Sequence, residues 1–291
     1  MQIVYHVGVN CTDGDRLLKS LMRNVEALAQ RGTAVPGPGK YRKLLREAVM
    51  NLNGQPPAPD TRDLFLDAIL DGQEADRLIL SNSTFLCQAG RIFEGGQFYP
   101  MAESKLDALR GFFPGDQIAL HVALRNPATW LPAVLAQTKE RSLDNHMGGL
   151  APESVVWSGL IARIRAAAPD MALTVWLNED TPLTWGELLR AMTDLPDTTP
   201  IAGEHDLLSA IMTPDGFARF EAYLRSHPPQ SRVQGRRIAG AFLDKFAITG
   251  EIEEELDLPG WDARRVDAIT RAYERDVETI ATMPGVTFVR A

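Results

Sequence analysis

Short β-branched hydrophobic runs alternate along the chain with longer stretches whose hydrophobic residues recur at helical spacing. The first short run, Ile3 to Val7, ends at Gly8, where polar residues take over. Four more runs have the same character: Arg77 to Leu80, Ile118 to Leu124, Ala172 to Leu177 and Val286 to Val289. We therefore predict that each run forms a strand, and that the last one lies at a sheet edge.

The stretches between these strands carry apolar residues every three to four positions, as on the buried face of a helix. Residues 15–30 show this pattern and are followed by Gly32, where a helix would stop. Thr12-x-x-Asp15 predicts a capping box at the start of that helix. Further helices are predicted over Leu64 to Leu70, Ala102 to Phe113, Ala128 to Gln137, Glu153 to Ala168, Pro214 to Arg225, Val233 to Phe246 and Ala263 to Met283.

This alternation predicts an α/β fold, a three-layer arrangement in which helices cover both faces of a parallel sheet. Pro/Gly-rich segments at 35–41 and 54–60 interrupt the pattern, but both are too short for a domain linker. We expect one domain over residues 1–291, in which the mostly helical segment 183–285 forms a cap on the sheet. A separate C-terminal domain is the less favoured alternative.

The charge balance limits the classes of partner. A formal net charge of −8 and a pI near 5.2 argue against a nucleic-acid-binding protein, which would present a basic face. The acidic stretch at 251–257 is expected to be a solvated segment rather than a partner-binding one. A small anionic ligand stays compatible with this balance, because a local cluster of arginines can oppose the global charge.

Cysteine content and hydropathy exclude other classes. Cys11 and Cys87 are the two cysteines, with no CxxC motif and no Cys/His cluster, so we expect neither a disulfide framework nor a metal site. The first ten residues lack the basic leader and apolar run of a signal peptide. No stretch approaches the roughly 18–20 apolar residues that span a bilayer. The expected location is cytoplasmic, without membrane association.

Polar residues follow four of the predicted strands. In open parallel sheets, ligands bind outside the carboxyl ends of the strands, because the loops that follow converge there. Loops are polar in any case, but the coincidence of four such ends favours one shared site. The residues are Asn10 and Thr12, Ser81 and Asn82, Arg125 and Asn126, and Asn178, Glu179 and Asp180.

The segment from His6 to Gly14 follows a strand and leads into a helix, a place where backbone N–H groups can hold an anion. It is not a Walker A loop, because it lacks the GxxxxGK[ST] pattern and has no lysine. Asp13 adds a negative charge that an anion would oppose. Two interpretations stay open: an anion-binding loop, or a structural turn in which Thr12 or Asp13 caps the helix.

His6-x-Gly8, followed by a loop and a helix, resembles the opening of the sulfotransferase-like P-loop family, in which a strand ends in a pattern such as HxGxxKTGT. The resemblance spans most of the chain and implies a P-loop NTPase-like sheet that binds 3′-phosphoadenosine 5′-phosphosulfate. Further similarities come in the family's order. Leu80-Ser81 resembles its LSSE-type turn, Arg125-Asn126-Pro127-x-x-Trp130 its RxPxxW segment, and Pro259-Gly260-Trp261 with Tyr273-x-x-Asp276 the tails of bacterial members.

The resemblance and the positions at the strand ends together give each candidate residue an expected role. The first loop would face the transferred group and the 5′ phosphate through Gly8, Asn10, Cys11, Thr12 and Gly14. The 3′ phosphate would be held by Arg125. Arg236 and Arg237 resemble the late basic segment that also binds this phosphate, but a solvated basic helix end is the favoured explanation of this pair. Substrate would contact Ser81, Asn82 and Asn178. The base that takes the proton of a hydroxyl acceptor would be Glu179 or Asp180.

Departures from the family pattern fall on the residues that carry its chemistry. The loop lysine, which would neutralise charge developing in sulfuryl transfer, falls on Cys11. The remaining changes put Asp13 at a glycine position, Ala133 at a serine position and Ser83 at an acidic position. Arg16 is an alternative cation, and His6 or His121 are alternative bases, although a histidine inside an apolar strand is more typical of the core. Two functions stay open: a sulfuryl transferase, and a non-catalytic relative that binds a ligand or a partner.

Overall fold

The computed structural model describes residues 1–252 and 258–291. Within them the strands form one six-stranded parallel sheet in the order β2-β3-β1-β4-β5-β6. The predicted α/β class and parallel sheet are confirmed. The strands are β1 (Gln2–Gly8), β2 (Thr33–Ala34), β3 (Arg77–Ser81), β4 (Gln117–Leu124), β5 (Ala172–Leu177) and β6 (Val286–Val289).

Helices follow the strands in chain order and cover both faces of the sheet. Short 3₁₀ turns at 38–40, 89–91, 94–96 and 152–154 lie in the connections. The helices are α1 (Arg16–Met22), α2 (Val25–Ala29), α3 (Arg42–Asn51), α4 (Thr61–Leu70), α5 (Ala102–Gly111), α6 (Pro127–Ala136), α7 (Leu143–His146), α8 (Trp157–Ala167), α9 (Thr181–Thr193), α10 (Asp206–Ile211), α11 (Pro214–Ser226), α12 (Arg232–Phe246), α13 (Thr249–Ile252) and α14 (Ala263–Ala281).

Two hydrophobic cores lie on opposite faces of the sheet, because successive side chains of a strand point to opposite sides. In β1, Ile3, Tyr5 and Val7 join the core under α3–α8 and α14, which we call face A. Val4 joins the core under α1, α2 and α9–α12, which we call face B. Burial on both faces explains why the central strands are continuously hydrophobic.

The segment 183–285, expected to be mostly helical, carries α9–α14 in its described part. These helices divide between the two faces. α9–α12 cover face B, whereas α14 packs against α6 and α8 on face A. They therefore complete both outer layers of the fold. Residues 253–257, most of the acidic stretch singled out in the sequence, lie outside the described residues.

The helix predicted over 15–30 is divided into α1 and α2 at Asn24. The Asn24 amide donates to the carbonyls of Ser20 (2.9 Å) and Ala202 (2.8 Å), and its oxygen accepts the Ala202 N–H at 2.8 Å. A buried asparagine that bonds the backbone in this way competes with helical hydrogen bonding. Hydrophobic spacing continues through the break, so the pattern alone hides it.

The predicted capping box at Thr12 and Asp15 is wrong. Asp15 has left-handed backbone angles (φ 66°) and makes no side-chain cap, and Thr12 Oγ1 donates to the carbonyl of Val9 at 2.8 Å. Asp13 is the residue that caps α1, because its carboxylate accepts the N–H of Leu17 at 3.0 Å. Asp13 thus has one of the capping roles that the sequence offered for it, and the anion-binding interpretation of the loop stays a prediction.

Two elements of the sheet edge escaped the sequence pattern. β2 has two residues, Thr33 and Ala34, which is too short for any periodicity. Helix α3 buries Leu45 and packs Leu44, Ala48 and Val49 against the face A core, an apolar stripe that the sequence analysis did not assign to a helix. In the described part of the chain, no helix is long and apolar enough to cross a membrane.

Candidate functional site

The candidate site lies where the chain changes direction in the sheet. After β3, which pairs with one side of β1, the chain crosses to β4 on the other side. Ligands of open parallel sheets bind at such a switch point, beyond the carboxyl ends of the strands. The loops after β1 and β4 flank this point, and both carry residues that the sequence singled out.

The loop after β1 begins with a close backbone approach. Gly8 has φ +80°, and a Cβ at this position would lie 2.9 Å from the Cα of Ser83. Cys11 also has a left-handed conformation (φ 58°), although it carries a side chain. Gly14 (φ +58°) is open, with nothing within 4 Å of a Cβ. The loop is thus tightly packed at its start and open at its end.

Asn10 fastens this loop to neighbouring segments. It is 1% exposed, and its Oδ1 accepts the Tyr99 hydroxyl at 2.7 Å. Its Nδ2 donates to the carbonyl of Cys87 at 3.3 Å, and its own carbonyl accepts Nε1 of Trp130 at 2.8 Å. The buried Asn10 therefore fixes the conformation of the loop through these hydrogen bonds.

Arg125, at the end of β4, lies against the loop after β1. Its guanidinium donates to the carbonyl of Cys11 through Nη1 and to Oγ1 of Thr129 at 3.1 Å through Nε. Trp157 Nε1 holds the Arg125 carbonyl at 3.0 Å, and 8% of the residue is exposed. The structure therefore brings the predicted phosphate-binding arginine beside the predicted phosphosulfate loop.

Glu179, one of the two predicted bases, bridges β5, α6 and α14. Its carboxylate accepts the N–H of Asn126 at 2.7 Å and the hydroxyl of Tyr273 at 3.1 Å. Although the residue keeps contact with solvent, the protein packed around the carboxylate raises the pKa of Glu179, and these two hydrogen bonds oppose that shift. The neighbouring Asp180 accepts the N–H of Ala291 at 3.0 Å.

Asn178, through its backbone, and Ser81, through its side chain, contact neighbouring strands of the sheet. The N–H of Asn178 donates to the carbonyl of Leu124 at 2.7 Å and extends the pairing of β4 and β5. Ser81 is buried, and its Oγ lies 2.9 Å from Nδ1 of His6. Asn82 Oδ1 accepts the N–H of Thr84 at 3.1 Å, and Asn82 also lines a large cavity described below.

The two histidines proposed as alternative bases face each other across β1 and β4 on face B. His6 pairs in register with His121, and its ring stacks on Trp176 at 5.5 Å. Burial lowers the pKa of His6, and burial lowers that of His121 from its usual 6.5 to about 3. Within the described residues, Nε2 of His6 and Nδ1 of His121 have no hydrogen-bond partner. These rings are therefore neutral core groups at neutral pH.

Arg236 and Arg237 lie on α12 in the outer layer of face B. Arg236 binds the carboxylate of Glu187 on α9, with Nε–Oε1 at 2.9 Å and Nη2–Oε2 at 2.7 Å. Arg236 and Glu187 line a cavity of about 430 Å³ among α9–α12. Arg237 is exposed. The structure thus places this pair in the helical layer rather than beside the loop after β1.

Two carboxylates lie in the segment that joins β1 to α1. Arg42 of α3 binds Asp15 through two hydrogen bonds, of 2.8 Å and 2.6 Å, and holds the pKa of that carboxyl below its usual range. Asp13 lies 4.0 Å from Nε2 of His6. The alternative cation Arg16 is exposed at the start of α1. The segment therefore holds negative charge close to the place where an anion would have to bind.

A cavity of about 690 Å³ on face A contains functional candidates that the sequence reasoning missed. It lies between α3, the loop after β3 and α5, over the apolar side chains of Leu45, Phe85 and Leu109. We call it the basic cavity, because the charged side chains among its described lining are Arg42, Lys43, Arg46, Arg91 and Lys105. The sequence signal is the basic run at 40–46, which only the fold joins to the other two residues.

The fold and the site define an all-parallel α/β protein with a polar carboxyl edge at the switch point and a basic cavity beside it. No protein-family model matches the chain, and no curated protein matches it. Among the described residues, no three His, Cys, Asp or Glu side chains are grouped so that they could hold a metal ion.

Proposed function

We propose that the chain is a sulfotransferase-like protein that binds an anionic nucleotide, or a phosphorylated or sulfated small molecule, at the carboxyl edge of its sheet. The observation that carries this proposal is the bond from Arg125 to the carbonyl of Cys11, which joins segments 114 residues apart. In the family that the sequence resembles, these two segments hold the two ends of one nucleotide. The position of both loops at the switch point supports the same site.

The residues present suit a phosphate better than a reacting phosphosulfate. Arg125 presents a planar guanidinium, which suits the oxygens of a phosphate. The β1 loop, in contrast, carries Asp13 and Asp15, and Cys11 stands where the family has its lysine. A carboxylate near the transferred group raises the energy of negative charge developing there. Binding of 3′-phosphoadenosine 5′-phosphate is therefore the activity that we propose first.

A non-catalytic binding protein is the second candidate, and a specific observation favours it. Both oxygens of Glu179 already accept hydrogen bonds, from Asn126 and Tyr273, and Asp180 holds the backbone of Ala291. Each predicted base thus has a structural role that explains it without chemistry. In this candidate the sheet edge binds a ligand but transfers no group.

The test is binding of 3′-phosphoadenosine 5′-phosphate to the full chain by calorimetry and by thermal unfolding. A ligand at roughly 100 times its dissociation constant stabilises the folded protein by about 2.7 kcal/mol, which is easily measured. Arg125→Ala should abolish the shift. Because Arg125 also bonds the loop after β1, circular dichroism must show that the Arg125→Ala protein is folded.

Gly14→Asp, compared with Gly14→Asn, provides a pair that leaves Arg125 intact. Position 14 is open and has a positive φ, which Asn and Asp tolerate better than other residues. Asp adds a charge to the loop and should weaken nucleotide binding, whereas Asn should not. No binding at millimolar nucleotide, or equal binding by both variants, contradicts the proposed site. Conversion of 2-naphthol to its sulfate by the protein and 3′-phosphoadenosine 5′-phosphosulfate separates the transferase from the binding protein.

A further inference from the structure

The basic cavity stands out because the chain as a whole carries a formal charge of −8. Its described lining has basic side chains from separate parts of the chain: Arg42, Lys43 and Arg46 on α3, Arg91 in the connection before α5, and Lys105 on α5. No Asp or Glu is part of that lining. A concave surface lined by one sign of charge concentrates the field and attracts the opposite charge.

Ion pairs with neighbours outside the lining neutralise part of this charge. Arg42 is bound to Asp15, and Arg91 lies 2.6 Å from the carboxylate of Glu94. Lys43 has a looser contact, at 3.8 Å, with Glu47.

Two basic side chains of the cavity are left without such compensation. Within the described part of the chain, neither Arg46 nor Lys105 has an ion-pair partner within 4.0 Å. Arg46 is exposed on α3, whereas Lys105 is half-buried on α5. Burial, and then the charge of Arg91, lowers the pKa of Lys105, as expected for a cation in a positive environment. An anion bound beside Lys105 would relieve this repulsion.

The size and floor of the cavity define the rest of the ligand. Its volume of about 690 Å³ lies in the range of small-molecule sites. The floor is formed by Leu45, Phe85 and Leu109, all of which belong to the face A core. An apolar or aromatic body would be stabilised on this floor, while its anionic group stays near the basic walls.

We propose that the basic cavity is a binding site for a small molecule with an apolar or aromatic body and a phosphate or sulfate group, held between Arg46 and Lys105. The site is separate from the contact of Arg125 with the β1 loop, and it stands whether or not that contact holds a nucleotide. Asn82, which the sequence assigned to substrate, lines the same cavity. In this proposal, Asn82 would contact the ligand of the basic cavity.

The experiment compares 2-naphthyl phosphate with neutral 2-naphthol as probes, by calorimetry on the full chain. We expect the phosphate to bind at least about tenfold more tightly than the alcohol, and its affinity to fall with added salt because charge pairing is screened. Arg46→Gln/Lys105→Gln should raise the dissociation constant of the phosphate by about tenfold or more. The reason is that each substitution removes a charge-assisted hydrogen bond to the anion, and such bonds are stronger than those between neutral groups.

The matched control is Arg31→Gln/Lys139→Gln, which removes the same net charge at two exposed positions outside the cavity. It should bind the phosphate as the wild type does. Arg46→Gln alone, at an exposed position, preserves the test if the double variant is unstable. Equal affinity for the two probes, equal loss in the cavity and control variants, or no binding at millimolar phosphate would overturn the proposal.

The same variants separate this site from the nucleotide proposal. If 3′-phosphoadenosine 5′-phosphate binding depends on Arg125 and not on Arg46 and Lys105, while 2-naphthyl phosphate shows the reverse, the two sites are distinct as proposed. If the nucleotide instead loses affinity only in the cavity variant, it binds in the basic cavity. That result supports the cavity as an anion site and removes Arg125 from the nucleotide site.

Discussion

His121 should make the folded protein sensitive to mild acid. It lies in the middle of the sheet, 4% exposed, and its ring is tilted over Trp176 at 6.4 Å. Burial, and then repulsion by His6, lowers its pKa from the usual 6.5 to about 3. Between these two values the unfolded chain binds a proton that the folded chain does not. The free energy of unfolding therefore falls as the pH falls through this window.

The size of the effect follows from the two pKa values. For one group that titrates at about 6.5 when unfolded and about 3 when folded, linkage gives a loss of about 2 kcal/mol between about pH 7 and about pH 5. That loss is a large part of the stability of a typical domain. His6, His146 and His205 also have pKa values lowered by burial, so the wild type should lose more than this amount.

His121→Leu isolates the contribution of this one ring. Leucine fills a similar space and removes Nδ1, which has no hydrogen-bond partner among the described residues. The substitution should therefore change the free energy of unfolding little at pH 7. Urea unfolding of both proteins at pH 7, 6 and 5 measures the difference. The variant should lose about 2 kcal/mol less than the wild type over this range.

The control is His227→Leu, which makes the same substitution at an exposed histidine. Parallel stability curves for the wild type and His121→Leu would refute the reasoning, since they would mean that His121 takes up its proton equally in the folded and unfolded chains. A steeper curve for the variant would refute it as well.

Two further predictions concern the loop after β1. Gly8→Ala should lower the free energy of unfolding, measured in urea, by about 2–4 kcal/mol, because it adds a Cβ 2.9 Å from the backbone of Ser83 at a positive φ. Gly14→Ala has the same sign of φ but open space, so it should lower that free energy by only about 1 kcal/mol; equal losses would contradict the close approach. Tyr99→Phe removes the hydroxyl that donates to Oδ1 of Asn10. It should lower the free energy of unfolding by about 1–3 kcal/mol, because it leaves a buried acceptor without this donor. An unchanged urea midpoint would show that this bond does not hold the loop.

The strands were predictable because their environment is simple. β1, β4 and β5 are buried on both faces, so a short hydrophobic run is sufficient to identify them. The polar ends followed from the same pattern, because the carboxyl ends of parallel strands share one edge. The break at Asn24 was not predictable, since it depends on a hydrogen bond to Ala202, which a distant loop brings to the helix.

The sequence by itself determined the α/β class, most strand positions and the set of polar residues at the strand ends, because local hydrophobic spacing encodes each of them. Only the tertiary structure decided which of those residues meet. It placed Arg125 against Cys11, directed Arg236 to Glu187, and assembled Arg46 and Lys105 across one cavity. These outcomes depend on the packing of segments far apart in the chain, and no local pattern records which distant partner a charged side chain will find.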